Sequence, residues 1–177
     1  MEELIKKARD GDKDSFVEAI IIIQKDLYNI AYVKLNNIDD VNDVIQETMF
    51  KAFKNIKKLK KFKYFKTWVI RILINECNKF YIQKYKRNRI NTNYRELDLE
   101  NTYANDIEKI EIKDELDSII SKLSEKEKIV IYLKFYNNFT IKEIAKILHT
   151  NQNTVKTRLR RAEEKINKLR KGDIDND

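Results

Sequence analysis

A chain of 177 residues with two glycines, no proline and 37% charged residues is poorly supplied for the tight turns of a β protein. Its 42% hydrophobic content is too high for a disordered one. The formal charge of +8 points to a polyanionic partner, either nucleic acid or an anionic membrane surface.

A single cysteine, Cys77, excludes an intramolecular disulfide framework and fits a reducing cytoplasm. The N-terminal MEELIKKARD has no signal-peptide core, and the longest apolar run, Ala19 to Ile23, is too short to span a bilayer. The expectation is a helical cytoplasmic protein that is not integral to a membrane.

From residue 12 to 35, Phe16, Ala19, Ile20, Ile23, Leu27, Ile30 and Ala31 recur at three-four spacing, which predicts an amphipathic helix. A second helix is predicted from about Asp39 to Lys58, with Val41, Val44, Ile45, Met49, Ala52, Phe53 and Ile56 on its apolar side. Opposite them a helical wheel gathers Asp39, Asp43, Gln46 and Phe50, with Glu47 and Lys54 alongside. Solvation accounts for the carboxylates but not for a large aromatic among them, so Phe50 marks a partner surface. Carboxylates at this spacing could ligate magnesium. No histidine and no second acidic helix accompanies them, so no metal and no cofactor is expected.

Residues 51–66 hold eight lysines and no acid. In KNIKKLKKFKYFKTW, Lys60, Lys61, Lys63 and Lys66 interleave with Phe62, Tyr64, Phe65 and Trp68. Cations that track phosphates and rings that stack on bases suit single-stranded nucleic acid, although a membrane surface takes the same ingredients. A third helix is predicted from Phe65 to about Lys86. It is apolar on nearly every side around Trp68–Cys77, as a helix central in its bundle would be. Its one polar strip, Arg71, Asn75 and Asn78, asks for a polar contact.

Character changes near Asn88. Residues 93–117 hold nine acids against three bases, so 88–106 reads as an acidic linker and a new helix begins near Ile107. Beyond it, Ser124-x-x-Glu127 and Thr140-x-x-Glu143 match the capping box, and Asn151 suits an N-cap. YNNF at 136–139 offers asparagines for a left-handed turn. Helices are predicted near 124–136, 140–148 and 151–170.

In 140–159 the apolar positions are Ile141, Ile144, Ala145, Leu148, Val155 and Leu159, with only HTN between the last two helices. That is the pattern of a helix-turn-helix, with small Ala145 where two helices cross and His149 at the turn position that favours glycine. Val155, Leu159, Ala162, Ile166 and Leu169 line one face of the last helix. Asn153, Lys156, Thr157, Arg160 and Arg161 fall opposite, supplying the amide, hydroxyl and guanidinium groups that major-groove edges and phosphates require.

In order along the chain, ARDGDKDSF (8–16), DDVNDVIQETMFKAF (39–53), FKTWVIRILIN (65–75) and LSEKEKIVIYLKFYNNFTIKEIAKILHTNQNTVKTRLRRAEEKI (123–166) resemble the extracytoplasmic-function (ECF) sigma factors of bacterial RNA polymerase, in the sigma-70 superfamily. The resemblance implies an all-α fold of two small helical domains joined by a flexible acidic linker. Residues 1–87 would form a region 2-like domain, 88–106 the linker, and 107–177 a region 4-like domain containing the helix-turn-helix. It implies a non-enzymatic initiation factor whose partners are core RNA polymerase (beta-prime and beta subunits), promoter DNA and an anti-sigma factor, with no small-molecule substrate.

By the same resemblance, Asp39, Asp43, Gln46, Glu47 and Phe50 would grip the polymerase. Lys60, Lys61, Lys63, Lys66, Arg71, Asn75 and Asn78 would melt and read the downstream −10 element as single strand. Asn151, Asn153, Thr154, Lys156, Thr157, Arg158, Arg160 and Arg161 would read the upstream −35 element. The chain departs from the family pattern at Leu73 and Ile74, where alanine and a basic residue are more usual, at Lys79, where aspartate is frequent, at Ser124 and at His149.

Two other classes compete. A dimeric helix-turn-helix regulator would need a dimer interface, and no long heptad repeat supplies one. An enzyme would need a nucleophile paired with a base. His149 lies in a turn and Cys77 in an apolar helix, so no such pair is apparent.

Overall fold

The computed structural model describes residues 1–91 and 120–172, with side chains for 1–84 and 120–169. Among them every regular element is helical: α1 (Glu2–Arg9), α2 (Lys13–Leu35), α3 (Ile38–Asn55), α4 (Phe65–Asn91), α5 (Glu125–Ile131), α6 (Ile141–Ile147) and α7 (Gln152–Gly172). Short 3₁₀ turns at Ile56–Lys58 and Phe62–Tyr64 connect α3 to α4, and a π turn at Tyr132–Tyr136 follows α5. The expected all-α class is the observed one. Helix α4 continues past the expected end near Lys86, so 88–91 of the anticipated 88–106 linker are helical; the rest of it, and the helix anticipated near Ile107, lie outside the described residues.

Polar residues at the ends set the helix boundaries. Asp12 caps α2 by accepting from the Asp14 and Ser15 backbone N–H groups at 3.0 and 3.2 Å and from the Ser15 hydroxyl at 2.8 Å. The Ser15 hydroxyl and those amides hold its carboxyl below the usual range. Gly11, at φ +112°, makes the preceding turn in a region that L side chains rarely enter. Asn36 at φ 51° ends α2, and Asn37 Oδ1 accepts from the Asp40 N–H at 2.9 Å to start α3.

All seven apolar residues anticipated on α2 are buried. So are Val41, Val44, Ala52 and Ile56 on the α3 side, while Ile45, Met49 and Phe53 pack half-buried against the same core. Phe16 meets Phe53 edge-on at 5.1 Å and Phe65 at 6.4 Å. Such aromatic pairs add about 0.5–1.5 kcal/mol beyond their area. Phe65 is fully buried here, which removes it from the rings available for stacking; Tyr64 beside it is 43% exposed.

One helix, α1, has no counterpart among the predicted elements. It buries Ile5 and Ala8 against α2.

In the C-terminal module both capping boxes form. The Ser124 and Thr140 N–H groups donate to Glu127 and Glu143 at 2.9 Å each. Glu127 is 6% exposed, and Lys165 of α7 donates to it at 2.8 Å. Burial works to raise this carboxyl, but Lys165 and the Ser124 hydrogen bonds prevail and hold it below the ordinary range.

The turn after α6 closes with the Thr150 N–H on the Ala145 carbonyl at 2.9 Å, while His149 sits at φ 49°. This is a Schellman motif with histidine where glycine is usual. Ala145, Val155, Leu159 and Ala162 are buried between the two helices, as the spacing predicted.

The modules also touch each other, α4 against α6 and α2 against α5. Ile70, Leu73, Ile74 and Cys77 of α4 are buried at 0–2% exposure.

Two outcomes follow for variants. Phe65→Ala should destabilise the N-terminal module by about 3–5 kcal/mol in urea unfolding, whereas Tyr64→Ala should shift it by under about 0.5 kcal/mol. Glu127 has a depressed carboxyl, so its stabilisation is present above its unfolded pKa and is lost as pH falls through the folded one. Glu127→Gln should therefore cost about 1–2 kcal/mol at neutral pH, and the gap from wild type should narrow as pH falls through the folded pKa, followed by circular dichroism.

Candidate functional site

Three polar surfaces emerge from this packing. On α3 the core-facing residues force Asp39, Asp43, Gln46, Glu47 and Phe50 outward, and all five are exposed. Phe50 is 62% exposed, the most open large hydrophobic residue among those described. Glu47 is tethered by Lys51 at 2.8 Å, and Lys51 also reaches the buried Glu76 of α4. The Glu47 hydrogen bond first, then Glu76, raises the Lys51 ammonium pKa. The acidic face thus has one residue anchored to the helix behind it.

The second surface is less uniform than its lysine count suggested. Lys60, Lys61 and Lys63 are exposed along the connection to α4, and Lys63 Nζ lies 5.2 Å over the Tyr64 ring. Phe62 is covered by the Arg9 guanidinium at 4.8 Å. Lys66 pairs with Asp26 at 2.7 Å. On α4, Arg71 and Asn78 are exposed and Asn75 is half-buried. Arg71 Nε–H donates to His149 Nε2 of the other module at 3.3 Å.

The third surface belongs to the helix-turn-helix. Asn151 Oδ1 accepts from the Thr154 N–H at 2.7 Å, which caps α7 as its position predicted. Around that helix start lies an open concavity of about 510 Å³ lined by Lys126, Asn151, Asn153, Thr154, Thr157, Arg158 and Arg161. Six of the eight residues anticipated for duplex contact meet there. Lys156 and Arg160 lie outside it, and Arg160 pairs with Glu164 at 2.8 Å.

Lys126 was not anticipated. It stands in α5, distant in sequence, and only the packing of α5 on α7 delivers it to this surface.

Chemistry beyond binding finds little support in these groups. Cys77 is buried, and burial pushes its thiol up to about 12, far from a reactive thiolate. His149 spends Nε2 on Arg71. No described helix is long and apolar enough to cross a membrane.

Known proteins share this arrangement. Residues 22–88 match the family model for sigma-70 region 2, and residues 113–166 match that for sigma-70 region 4. The ECF RNA polymerase sigma factor SigW of Bacillus subtilis (strain 168) is 26% identical over 178 residues, covering 93% of each chain. The RNA polymerase sigma factor SigV of the same organism is 29% identical over 158 residues, 88% of this chain and 91% of that one.

Among solved structures, the sigma factor RpoE in complex with the anti-sigma factor NepR from Bartonella quintana shares the fold at TM-score 0.69 and 23% identity, over 90% of this chain and 98% of that one. CnrH in complex with the cytosolic domain of CnrY does so at TM-score 0.66 and 20% identity, over 97% of each. With both sigma-70 regions matched in order and likeness to SigW and SigV along nearly its whole length, the chain belongs to the extracytoplasmic-function sigma factors of the sigma-70 superfamily.

Proposed function

We propose that the three surfaces divide the work of a sigma factor, a transcription initiation factor that binds core RNA polymerase and directs promoter recognition and opening. The α3 face of Asp39, Asp43, Gln46, Glu47 and Phe50 docks on the polymerase. Lys60, Lys61, Lys63, Lys66, Arg71, Asn75 and Asn78 hold the melted downstream element. The α7 start reads the upstream element as duplex. Residues 1–87 and 107–177 then act as two promoter-binding domains on a linker of 88–106.

The observation that carries most of this reading is the concavity at the start of α7, where amide, hydroxyl and guanidinium groups converge on one helix-sized surface. The chain catalyses nothing itself and works where polymerase works, in the cytoplasm. The anti-sigma factor bound to RpoE suggests a comparable antagonist here. A dimeric regulator would instead need a self-complementary interface, and the exposed Phe50 lies among carboxylates that would repel their own copy.

Reconstitution tests the reading directly. The chain with core polymerase should comigrate on a sizing column and yield specific transcripts from genomic promoters; no complex and no transcript would end it. Asp43→Lys with Phe50→Ala should weaken polymerase binding at least about tenfold while leaving the helical signal unchanged.

For the upstream element, Arg161→Ala should cost about 1–3 kcal/mol and relax sequence preference if its guanidinium reads a base. Lys126→Ala should weaken all duplexes alike and lower the salt slope of binding by about 0.9, the signature of one phosphate contact. Fluorescence anisotropy across a salt series separates the two.

A further inference from the structure

None of the three surfaces uses helix α1, and it precedes the residues matched to sigma-70 region 2, which begin at 22. It nonetheless packs against both 3₁₀ turns of the connection between α3 and α4, as well as against α2. That connection carries Lys60, Lys61 and Lys63.

The connection is anchored at its ends and thinly held between them. Leu59 is 6% exposed and Phe65 is fully buried. From 60 to 64, Lys60, Lys61, Lys63 and Tyr64 are exposed, and Phe62 alone is half-buried. The Tyr64 N–H donates to the Lys61 carbonyl at 3.1 Å, which shapes the turn but ties it to nothing outside. What does reach outside is the Phe62 ring. It packs on the core beneath the Arg9 guanidinium, which lies 4.8 Å from its centroid. A cation on a ring face suits a spot crowded with lysines, because it needs no carboxylate for which those lysines would compete.

Arg9 is in turn held by its own backbone. Ile5 and Ala8, in the turn before it, are 0% and 2% exposed. Just past it, the Gly11 N–H donates to the Ala8 carbonyl at 3.1 Å, and Asp12 caps α2. The guanidinium therefore approaches Phe62 from a fixed helix end.

We propose that Arg9 is a positioning residue for single-stranded DNA: by covering Phe62 it pins the 60–64 connection, so that Lys60, Lys61, Lys63 and Tyr64 face outward as one preformed set. This rests on the assignment of those lysines to the melted strand. Arg9 acts without touching the strand. A connection that is already ordered loses less freedom on binding, so order imposed at Phe62 is felt as affinity at the lysines.

Hydrogen exchange at the Tyr64 amide of the full chain, read by NMR, tests the pin. Anisotropy of a short labelled oligothymidylate across a salt series tests its consequence. Arg9→Met removes the cation and keeps an apolar stem, whereas Phe62→Leu removes the ring with no change of charge. Each should speed exchange about two- to tenfold and weaken oligothymidylate binding about two- to fivefold, and the double variant should be no worse than either. Arg9→Lys keeps a cation above the ring and should recover most of both.

The salt slope should stay at the wild-type value in both single variants. A slope lower by about 0.7 in Arg9→Met alone would mark Arg9 as a phosphate contact and overturn the positioning role. Unchanged exchange in both variants would overturn the pin. Faster exchange at constant affinity would overturn its bearing on DNA. Replacing Lys60, Lys61 and Lys63 together by alanine separates this inference from the assignment beneath it. If that triple variant binds oligothymidylate as wild type does, the assignment falls; if it weakens binding and the Arg9 and Phe62 variants do not, the positioning role alone falls.

Discussion

Helix α4 is covered from two directions, and most of the molecule is arranged around that constraint. Phe65, Val69 and Glu76 turn toward one side of it, and Ile70, Ile74 and Cys77 toward another, so the buried arc is about half the helix circumference. A helix buried that widely cannot keep the single apolar stripe of an ordinary surface helix. Its residual polar strip is narrow, and Arg71, Asn75 and Asn78 are the groups left to face outward or sideways. The two modules also meet on this helix: α6 packs against it, and His149 accepts from Arg71.

Two buried carboxylates do a related job at the helix crossings. Glu76 of α4 takes Lys51 from α3 and Lys79 from its own helix, and Glu127 of α5 takes Lys165 from α7. A buried carboxylate is tolerable only with its partners in place, so each pair fixes the relative register of the helices it joins. Lys51 extends this outward, because it also holds Glu47 on the exposed face of α3. A surface carboxylate tied to the core through a lysine keeps less conformational freedom than a freely rotating one.

Much of this was legible in the sequence where local chemistry decides the structure. The three-four spacing of α2, the Ser124 and Thr140 capping boxes, the Asn151 cap and the left-handed His149 each depend on residues within one or two turns, and each formed as expected. What escaped depends on partners far away. Helix α1 has too few turns for periodicity to register, and it is held by α2. Within KFKYF, composition cannot say which ring faces inward; the position of α4 against Phe16 chooses Phe65. Lys126 reaches the concavity at the start of α7 only because α5 packs on α7. The contact between modules was invisible for the same reason, although His149, a departure from the family pattern, turned out to lie in it.

The basic side chains of α7 and α4 differ in readiness for a physical reason. The start of α7 is a capped helix end whose side chains have little else to bind. Arg160 does pair with Glu164, but both are more than half exposed, and an exposed pair one turn apart is worth only about 0.3–0.5 kcal/mol. A phosphate or base edge can take that arginine at small cost. Lys66 and Arg71 have no such freedom, because they are already engaged by Asp26, Phe139 and His149. A ligand at the start of α7 therefore meets side chains that are ready-made for it, whereas one at Lys66 or Arg71 must first displace contacts inside the protein.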